Sequence, residues 1–304
     1  MPRLGRMLRW VVVVFFLAWV VGQLARDATW VTGLAFYIPS VVLPPTLAAF
    51  AVWCVVTRRA RAGLLAVAAV VPPVCIVLAV ENDFSTKPRC HDPGRRLMHW
   101  NTGGRPTRAG VEDLLVLEHA DIYVLSEMPN AEHVGFFRQR LGYGYHDVTF
   151  GNLAVVARGG VRADGWLLDA DGVRVQQVTW EVDGRPVRLL VVDMPSDVRV
   201  ARNPHLRAVI GLVESTRPAV VVGDFNAPRR SWALSNLPTG YHHAYHTCGG
   251  GWGYTWPLPV PLFSLDHVLH SSEVVPTAYR LGGAGGDSDH CYQVFDFLLP
   301  QPVE

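Results

Sequence analysis

The stretch AVVVGDFNAPRR, residues 219–230, ends an apolar run on two polar side chains. The run from Ala219 to Val222 predicts a buried strand, and Asp224 and Asn226 follow it at once. Polar groups at the end of a buried strand are costly to desolvate unless something pairs with them. Two explanations stay open: the pair closes a local Asx-type turn, or it is held at the mouth of a sheet for a ligand or metal.

The same pattern recurs elsewhere in the chain. An acid, an amide or an imidazole lies beside an apolar run at five further positions: Asn101, Glu127, Asp266, Asp289 and His290. The ends of strands in one stack of sheets can converge in space. Carboxylates, amides and one histidine together suit a hard divalent cation and a phosphate, since Mg²⁺ takes oxygen ligands and histidine exchanges protons near neutral pH.

Composition limits the classes of protein that the chain can belong to. Its 304 residues are half hydrophobic, only 17% of them are charged, and the net charge is +1. This length holds one large domain or two ordinary ones. A net charge near zero provides no general basic field for nucleic acid.

The apolar excess is concentrated in the first eighty residues. Three runs, 10–25, 30–56 and 63–80, are almost free of charge. A membrane span needs about 20 apolar residues, so the three runs predict three transmembrane helices. A cleaved signal peptide is the alternative for the first run, but two more apolar runs follow and no small-x-small cleavage site does.

Arginines predict the topology of these spans. Two clusters flank them, the first before the first run and the second between the last two runs: Arg3, Arg6 and Arg9, then Arg58, Arg59 and Arg61. The positive-inside rule places both clusters in the cytoplasm. We therefore expect a multi-pass protein of the plasma membrane with everything after Val80 outside the cell.

The remaining chain predicts a linker followed by one globular domain. Residues 1–80 form the membrane domain, 81–95 a polar linker, and 96–304 a domain that mixes strands with a few helices. Asp183-Gly184 between two alternating runs predicts a β-hairpin. The pattern favours two packed sheets with helices outside.

Five segments resemble a known family in the order in which they occur. HWNTGG, DIYVLSEMP, VVVGDFNAP, SLDHVL and SDHCYQVF are similar to the endonuclease/exonuclease/phosphatase superfamily, and the resemblance covers nearly all of residues 96–300. It implies a four-layer α/β sandwich, in which two central mixed β-sheets are flanked by helices, preceded here by three N-terminal transmembrane helices.

The resemblance implies a role for each polar residue. Asp224 and Asn226 match residues that bind the scissile phosphate and position or activate water. His290 matches the essential histidine, and Asp266 matches the aspartate that orients it. Whether His290 or Asp224 acts as the base stays open.

The resemblance also implies which residues of the site surround the metal and which contact the substrate. Glu127, Asn101 and Asp289 match the residues around the metal, which would be Mg²⁺ or Mn²⁺. Thr255 and Trp256 lie in a loop that borders the substrate in the family. These two residues are therefore expected to contact substrate.

Three features leave alternatives open. Many family members carry a histidine where this chain has Met194, which puts a close DNase-like mechanism in doubt. A solvated loop or a zinc cluster could explain three histidines near Cys248: His242, His243 and His246. A Cys90–Cys248 disulfide is one pairing outside the cell, and Cys291 is expected to be buried in the last strand.

The sequence favours a membrane-anchored, divalent-metal-dependent phosphohydrolase, in particular a phosphodiesterase, whose water attacks in line. Its expected partners are the lipid bilayer and a phosphoester substrate: a lipid headgroup, a small phosphodiester or DNA. No protein partner is inferred. The alternatives are an extracellular DNA nuclease of the same fold and a non-catalytic phosphate- or metal-binding protein. A dense stripe of arginine and lysine, which would favour the nuclease, is missing from the sequence.

Overall fold

The computed structural model describes residues 2–87, 94–105, 113, 115–283 and 286–299. Its N-terminal part is helical and consists of five segments: α1 (Pro2–Ala25), α2 (Trp30–Phe36), a 3₁₀ turn (Ser40–Val42), α3 (Leu43–Val56) and α4 (Ala60–Ile76), which continues as a π-helical turn over Val77–Glu81. Within the described residues, two helices are long and apolar enough to cross a membrane, Gly5–Ala25 and Ala60–Glu81.

The apolar run at 30–56 is not the single helix that was predicted. Its two halves, Trp30–Phe36 and Ser40–Val56, are bent by 47° at the break between them, so two of the described helices, or three if this pair counts as one, are long and apolar enough to cross a membrane. Pro39 explains the break. It adopts φ −64° and ψ 123°, and proline both removes a backbone donor and biases the residue before it away from helix.

Helix α2 contacts the C-terminal domain, which begins near residue 94, at both of its ends. The Trp30 indole donates to the Val198 carbonyl at 3.1 Å, and the Tyr37 hydroxyl donates to the Asn226 carbonyl at 2.7 Å. Helix α2 is therefore held along the surface of that domain at both ends.

The C-terminal domain contains two six-stranded sheets. The first has the order β11-β12-β1-β2-β4-β3, built from β1 (Arg95–Asn101), β2 (Ile122–Ser126), β3 (Tyr145–Phe150), β4 (Leu153–Arg158), β11 (Val275–Gly282) and β12 (Tyr292–Leu298). The second has the order β5-β6-β7-β8-β10-β9, built from β5 (Val161–Ala170), β6 (Val173–Val182), β7 (Arg185–Asp193), β8 (Val220–Asp224), β9 (Tyr241–His243) and β10 (Asp266–Ser271).

Both sheets are mixed, as predicted. The pairs β1–β2 and β7–β8 are parallel, and the other described pairs are antiparallel. The predicted hairpin joins β6 and β7. Asp183 and Gly184 both have positive φ, 53° and 74°, as a two-residue type I′ turn requires.

Helices cover the outer faces of the sheets. They are α5 (Ala131–Leu141), α6 (Arg202–Thr216) and the short α7 (Ala244–Cys248). One core lies between the sheets and joins Val124 to Val222, a second packs α5 on the first sheet through Phe137, and a third packs α6 on the second sheet through Leu206. The result is the four-layer sandwich. Apolar residues at helical spacing over 108–120 predict a further helix, and residues 113 and 115–117 are helical; residues 108–112 and 114 lie outside the described part of the chain.

The first residues of the predicted linker are packed rather than free. Asn82 is buried; its amide donates to the Val77 carbonyl at 2.8 Å, and its Oδ1 accepts from the Gly253 amide at 2.7 Å. Glu81 accepts from the Ser40 hydroxyl at 2.8 Å and from the Tyr254 hydroxyl. The end of α4 is therefore fixed to the C-terminal domain. Residues 88–93 of the linker lie outside the described part.

Candidate active site

The predicted site residues meet where strands of both sheets begin or end. Asn101 is the last residue of β1, and Glu127 follows β2, the parallel neighbour of β1. Asp224 ends β8 and pairs in register with Asp266, the first residue of β10. The two parallel pairs therefore present their carboxyl ends to a shared edge, as the sequence pattern predicts.

Asn101 connects the two sheets. Its Nδ2 donates to Glu127 Oε1 at 3.0 Å and to Asp224 Oδ2 at 2.9 Å, while its Oδ1 accepts from the Gly103 amide at 2.8 Å. Both amide protons are thus used to hold carboxylates. Asn101 acts as a positioning residue in this geometry, and only its Oδ1 retains a lone pair for a metal.

Asp224 and Asn226 form the turn that the opening stretch suggested. Asp224 Oδ1 accepts from the Asn226 amide at 2.7 Å, and Oδ2 accepts from the Asn226 side chain at 3.1 Å. The same Asn226 Nδ2 also donates to the Met194 carbonyl at 2.7 Å. Turn and site are therefore one arrangement. The donors of Asn226 are occupied, so it positions Asp224 and does not itself offer a free donor to phosphate.

His290 and Asp266 form a buried pair. His290 Nδ1 donates to Asp266 Oδ2 at 2.9 Å, and Nε2 lies 4.0 Å from Asp224 Oδ2. Burial alone would lower the pKa of His290, but the carboxylates of Asp266, Asp224 and Asp289 outweigh it and raise this pKa to about 10. His290 is therefore a cation at neutral pH, with Nε2 directed toward Asp224.

Asp224 experiences opposing influences. Burial and the charge of Asp266 raise the pKa of the Asp224 carboxyl well above its usual range, against the His290 charge and the Asn226 amide, which lower it. Asn226 itself has a left-handed backbone, φ 45°, as has Glu127, φ 53°. Such strained conformations in ordinary residues cluster at functional sites.

Sequence reasoning passed over His99, although it lies in the quoted segment HWNTGG. His99 is fully buried, with Nδ1 4.0 Å from Asp266 Oδ1 and Nε2 3.1 Å from Ser126 Oγ. Burial lowers its pKa to about 4, so the ring is neutral. The available signal was alternation, because residues 99 and 101 of one strand point to the same face.

Thr255 and Trp256 differ in their relation to the site. The Thr255 side chain is fully buried, and its Oγ1 accepts from the amides of Leu265 (3.0 Å) and Asp266 (3.2 Å). In this structure Thr255 positions Asp266, and its contact with substrate stays a prediction. Trp256 is half-buried, and its indole donates to Asp289 Oδ2 at 2.7 Å beside the His290 ring.

Met194 occupies the position where many family members have a histidine. Its side chain is buried in the core between the second sheet and α6. Its backbone serves the site: the amide donates to the Asp224 carbonyl at 2.9 Å, and the carbonyl accepts from Asn226. An apolar side chain is compatible with this role, because only the main chain of Met194 faces the site.

Burial disfavours the ionised form of the Asp193 carboxyl. It is 7% exposed, it accepts from Asn152 Nδ2 at 3.1 Å, and burial raises its pKa to about 6. Because this value exceeds the usual pKa of about 3.9 in an unfolded chain, ionisation between pH 4 and pH 6 favours unfolding.

Asp193→Asn is expected to raise the free energy of unfolding by about 1–3 kcal/mol at pH 7.5 and to change it little at pH 4. The amide keeps an acceptor for Asn152 and removes the buried charge. Thermal melts of the full chain at both pH values measure the difference. An equal shift at the two pH values would contradict the assignment of the charge.

The histidines near Cys248 form neither a solvated loop nor a metal cluster in the described part of the chain. His243 is buried, and its Nε2 donates to the Leu234 carbonyl at 2.9 Å. His242 and His246 lie on β9 and α7. Cys291 is buried, as expected. Cys90 lies outside the described residues, so its pairing with Cys248 stays a prediction.

The donor set of the site fits a hard divalent cation. Among the described residues, Asp224, Asp266 and His290 bring ligand atoms within 4.8 Å of one another. Asp266 Oδ2 is already occupied by His290, which makes this triad a poor metal cage. The harder donors that Mg²⁺ prefers are the carboxylate oxygens of Glu127 and Asp289. Glu127 is bonded to Asn101, and Asp289 is exposed across the turn that follows Asn101.

Solved structures show the same fold. Humanized TDP2 from D. rerio is 20% identical over 68% of this chain and 99% of that structure, with a TM-score of 0.53. TDP2 from D. rerio complexed with a single strand DNA product is 19% identical, with the same coverage and TM-score. The mannosyl-6-phosphatase Bt3783 of Bacteroides thetaiotaomicron is 14% identical over 67% of this chain and all of that structure, with a TM-score of 0.53.

Sequence comparison identifies the family. No curated protein sequence matches the chain significantly. The model of the Endonuclease/Exonuclease/phosphatase family matches residues 98–290, from within β1 to the buried histidine. This match covers more than half of the chain and contains every polar residue of the site described above. The chain therefore belongs to the Endonuclease/Exonuclease/phosphatase family.

Proposed function

We propose that this protein is a membrane-anchored, divalent-metal-dependent phosphohydrolase that cleaves a phosphodiester with water. The observation that carries the proposal is the buried Asp266–His290 pair, whose Nε2 lies 4.0 Å from Asp224 Oδ2. A histidine oriented by a buried carboxylate is a recurring device for proton transfer in hydrolases. Asn101, which links Asp224 to Glu127, ties this pair to the side of the site where a metal fits.

Each residue has a definite task in this proposal. Asp266 fixes the proton on His290 Nδ1, so Nε2 points toward the reacting phosphate. As a cation, His290 donates to a phosphoryl oxygen and stabilises the charge that develops there. Asp224, with its raised pKa, is the group that accepts a proton from water. Glu127, Asn101 Oδ1 and Asp289 would hold Mg²⁺ or Mn²⁺, which supplies charge neutralisation at the phosphate when bound.

The pH dependence separates the two candidate bases. If His290 acts as a cation with a pKa of about 10, we expect kcat/KM to change little between pH 7 and pH 9 and to fall above about pH 10. If His290 were the base, kcat/KM would rise about tenfold per pH unit up to the same pKa. Hydrolysis of bis-p-nitrophenyl phosphate by the full chain, measured across this range at saturating metal, distinguishes the two outcomes.

The membrane anchor is proposed from the helices at the N-terminus. The segments that contact the catalytic domain lie near residues 27–40 and at Glu81, whereas Arg59 lies at the opposite end of the helices, near Gly5. If Arg59 and its neighbouring arginines lie in the cytoplasm, as the positive-inside rule predicts, the catalytic domain lies outside the cell. A reporter fused after Val80 tests this: a cytoplasmic signal would reject the topology.

A nuclease of the same chemistry is the second candidate. One structural relative is described in complex with a single strand DNA product, and another is a phosphatase of a sugar phosphate. The net charge of +1 gives the protein little attraction for polyanionic DNA. Competition between single-stranded DNA and phospholipid vesicles for the chromogenic diester separates a nuclease from an enzyme for small or lipid phosphoesters.

Metal dependence is the direct test of the proposal. The full chain in detergent should hydrolyse the diester with Mg²⁺ or Mn²⁺ and lose the activity in excess EDTA, because carboxylate ligands need the ion to offset phosphate charge. Restoring the ion should restore the rate. If the protein shows no turnover with either metal and calorimetry detects no Mn²⁺ binding, a non-catalytic role replaces the hydrolase.

A further inference from the structure

A buried imidazole lies behind the Asp266–His290 pair and has no task in the mechanism proposed above. His99 belongs to β1, and its side chain is on the same face of the strand as those of Leu97 and Asn101, toward the core between the sheets. The side chain is fully buried. Because a buried polar side chain is costly unless its polar atoms are paired, the neighbours of the ring indicate what His99 does.

Two complementary atoms in this region are buried without a partner. Nδ1 of His99 and Oδ1 of Asp266 lie 4.0 Å apart, and within the described part of the chain neither atom has a hydrogen bond. His290 occupies the other oxygen, Oδ2, at 2.9 Å, and the Thr255 hydroxyl accepts from the Asp266 amide without bonding to Oδ1. An N–H···O bond is about 2.9 Å long, so the gap between Nδ1 and Oδ1 exceeds it by about 1 Å. A small rotation of either side chain closes the gap and satisfies both atoms.

The surroundings of His99 determine which of its nitrogens carries the proton. Nε2 lies 3.1 Å from the hydroxyl of Ser126, which can donate to it. A neutral imidazole has a single N–H, and the Asp266 carboxylate favours that proton on Nδ1, because a lone pair directed at an anion is repelled. His99 is therefore a donor toward Asp266 and an acceptor toward Ser126.

We infer that His99 is a positioning residue of the proposed phosphohydrolase: its Nδ1–H holds Asp266 Oδ1 while His290 binds Oδ2. A carboxylate held at both oxygens cannot rotate about its Cβ–Cγ bond, so the His290 ring keeps the orientation in which Nε2 is near Asp224. Because it is fully buried, His99 acts through Asp266 and not on substrate. Its effect on rate rests on the proposed function, whereas the contact between the two side chains does not.

A neighbouring buried residue supplies the matched control. Gln293 of β12 is the register partner of His99 and is fully buried as well. Neither polar atom of its side chain has a hydrogen bond among the described residues, so it does not hold Asp266. Gln293→Met replaces this side chain by an apolar one of similar length and should leave kcat unchanged.

Substitutions of His99 separate the donor from the rest of the ring. Asparagine offers an amide nitrogen close to the position of Nδ1, whereas the longer glutamine places its amide near Nε2, and phenylalanine keeps a ring without polar atoms. We expect His99→Gln and His99→Phe to lower kcat for the diester about tenfold with KM unchanged, as the loss of one hydrogen bond to a charged group does. His99→Asn should keep most of the rate. Equal rates in the asparagine variant and the two others would reject the assigned donor.

The Nδ1 proton of His290 gives a readout that needs no turnover. It is observed by NMR in the full chain in detergent, with isotope-labelled histidine and no added metal, and His290→Ala identifies the signal by removing it. A carboxylate free to rotate opens its bond to His290 more often, which speeds the exchange of this proton with water. The signal should therefore be sharp in the parent chain and in His99→Asn, and broadened in His99→Gln and His99→Phe. Equal line widths in all four proteins would overturn the inference.

The two measurements distinguish this inference from the proposed function. A chain without metal-dependent turnover that shows the broadening loses the proposed function and keeps the contact between His99 and Asp266. A chain with metal-dependent turnover, whose rate and line width are the same in the folded glutamine and phenylalanine variants, keeps the function and rejects the role of His99. Thermal melts identify a variant that does not fold, and the two donor-free variants are independent of each other in this respect.

Discussion

Replacing His290 with alanine is expected to lower kcat for diester hydrolysis by about 10²–10⁴-fold, the usual effect of removing a positioned acid or base. The imidazolium is held by Asp266 at 2.9 Å and surrounded by carboxylates that keep it charged. Its loss removes the only cation that the described structure places beside Asp224. Substrate binding should suffer less than kcat, because His290 acts on charge that develops in the transition state.

Two comparison variants make this result specific. His242→Ala removes an exposed histidine from β9 and should leave the rate unchanged. Asp266→Asn should lower kcat by a similar factor to His290→Ala, and the double variant should lose little more, since the two side chains act as one unit. A His290→Ala protein that folds and keeps more than about a tenth of its activity would contradict the assigned role.

The polar site residues at the strand ends were predictable because carboxylates are unusual beside buried apolar runs. Asp224, Glu127 and Asp266 lie beside apolar runs, where a carboxylate must have a purpose. Two packed sheets also followed from alternating and apolar runs, and the hairpin from Asp183-Gly184, whereas the mixed strand directions followed from the family resemblance. The inferences from runs and turns need only local sequence, which is why they agree with the structure.

The individual role of each site residue could not be predicted in the same way. Asn101 and Asn226 have polar side chains suited to a phosphate, yet each uses its donors on Asp224. Thr255 lies near the site in sequence, yet it is buried behind Asp266. Each of these outcomes depends on how the second sheet is placed against the first, and no local pattern encodes that placement.

The helical part shows the same limit. Composition predicted one transmembrane helix over the apolar run 30–56. A single helix there would have to tolerate the prolines within this run. Tertiary contacts decided the outcome: Tyr37 and Trp30 bind the C-terminal domain, and the chain turns at Pro39. This arrangement brings α2 to the domain surface.

Gly223→Ala is expected to prevent stable folding, with a loss of about 4 kcal/mol or more in the free energy of unfolding. A Cβ at this position would lie 1.9 Å from the Val192 carbonyl oxygen, 2.8 Å from its carbonyl carbon and 2.9 Å from its amide nitrogen. All three atoms are backbone, so no side chain can move aside. The φ of 152° is a further strain for any residue with a side chain.

Gly211→Ala provides the matched control, because Gly211 lies on the exposed face of α6 and a Cβ there meets nothing within 4 Å. This change should stabilise the protein by about 0.5–1 kcal/mol through helix propensity. Thermal melts of both variants in detergent measure the contrast. A Gly223→Ala protein that melts within about 2 °C of the parent chain would show that the strands can separate without loss.

Glycine is required at position 223 by the geometry of the site and not by the turn that follows it. Gly223 pairs with Val192 in the parallel ladder of β7 and β8, one residue before Asp193 and Asp224 pair. The absence of a side chain lets the two strands approach closely there. That approach places the Met194 amide on the Asp224 carbonyl and the Met194 carbonyl on Asn226. A larger residue at 223 would separate the strands and displace the carboxylate that faces His290, so folding and catalysis depend on the same contact.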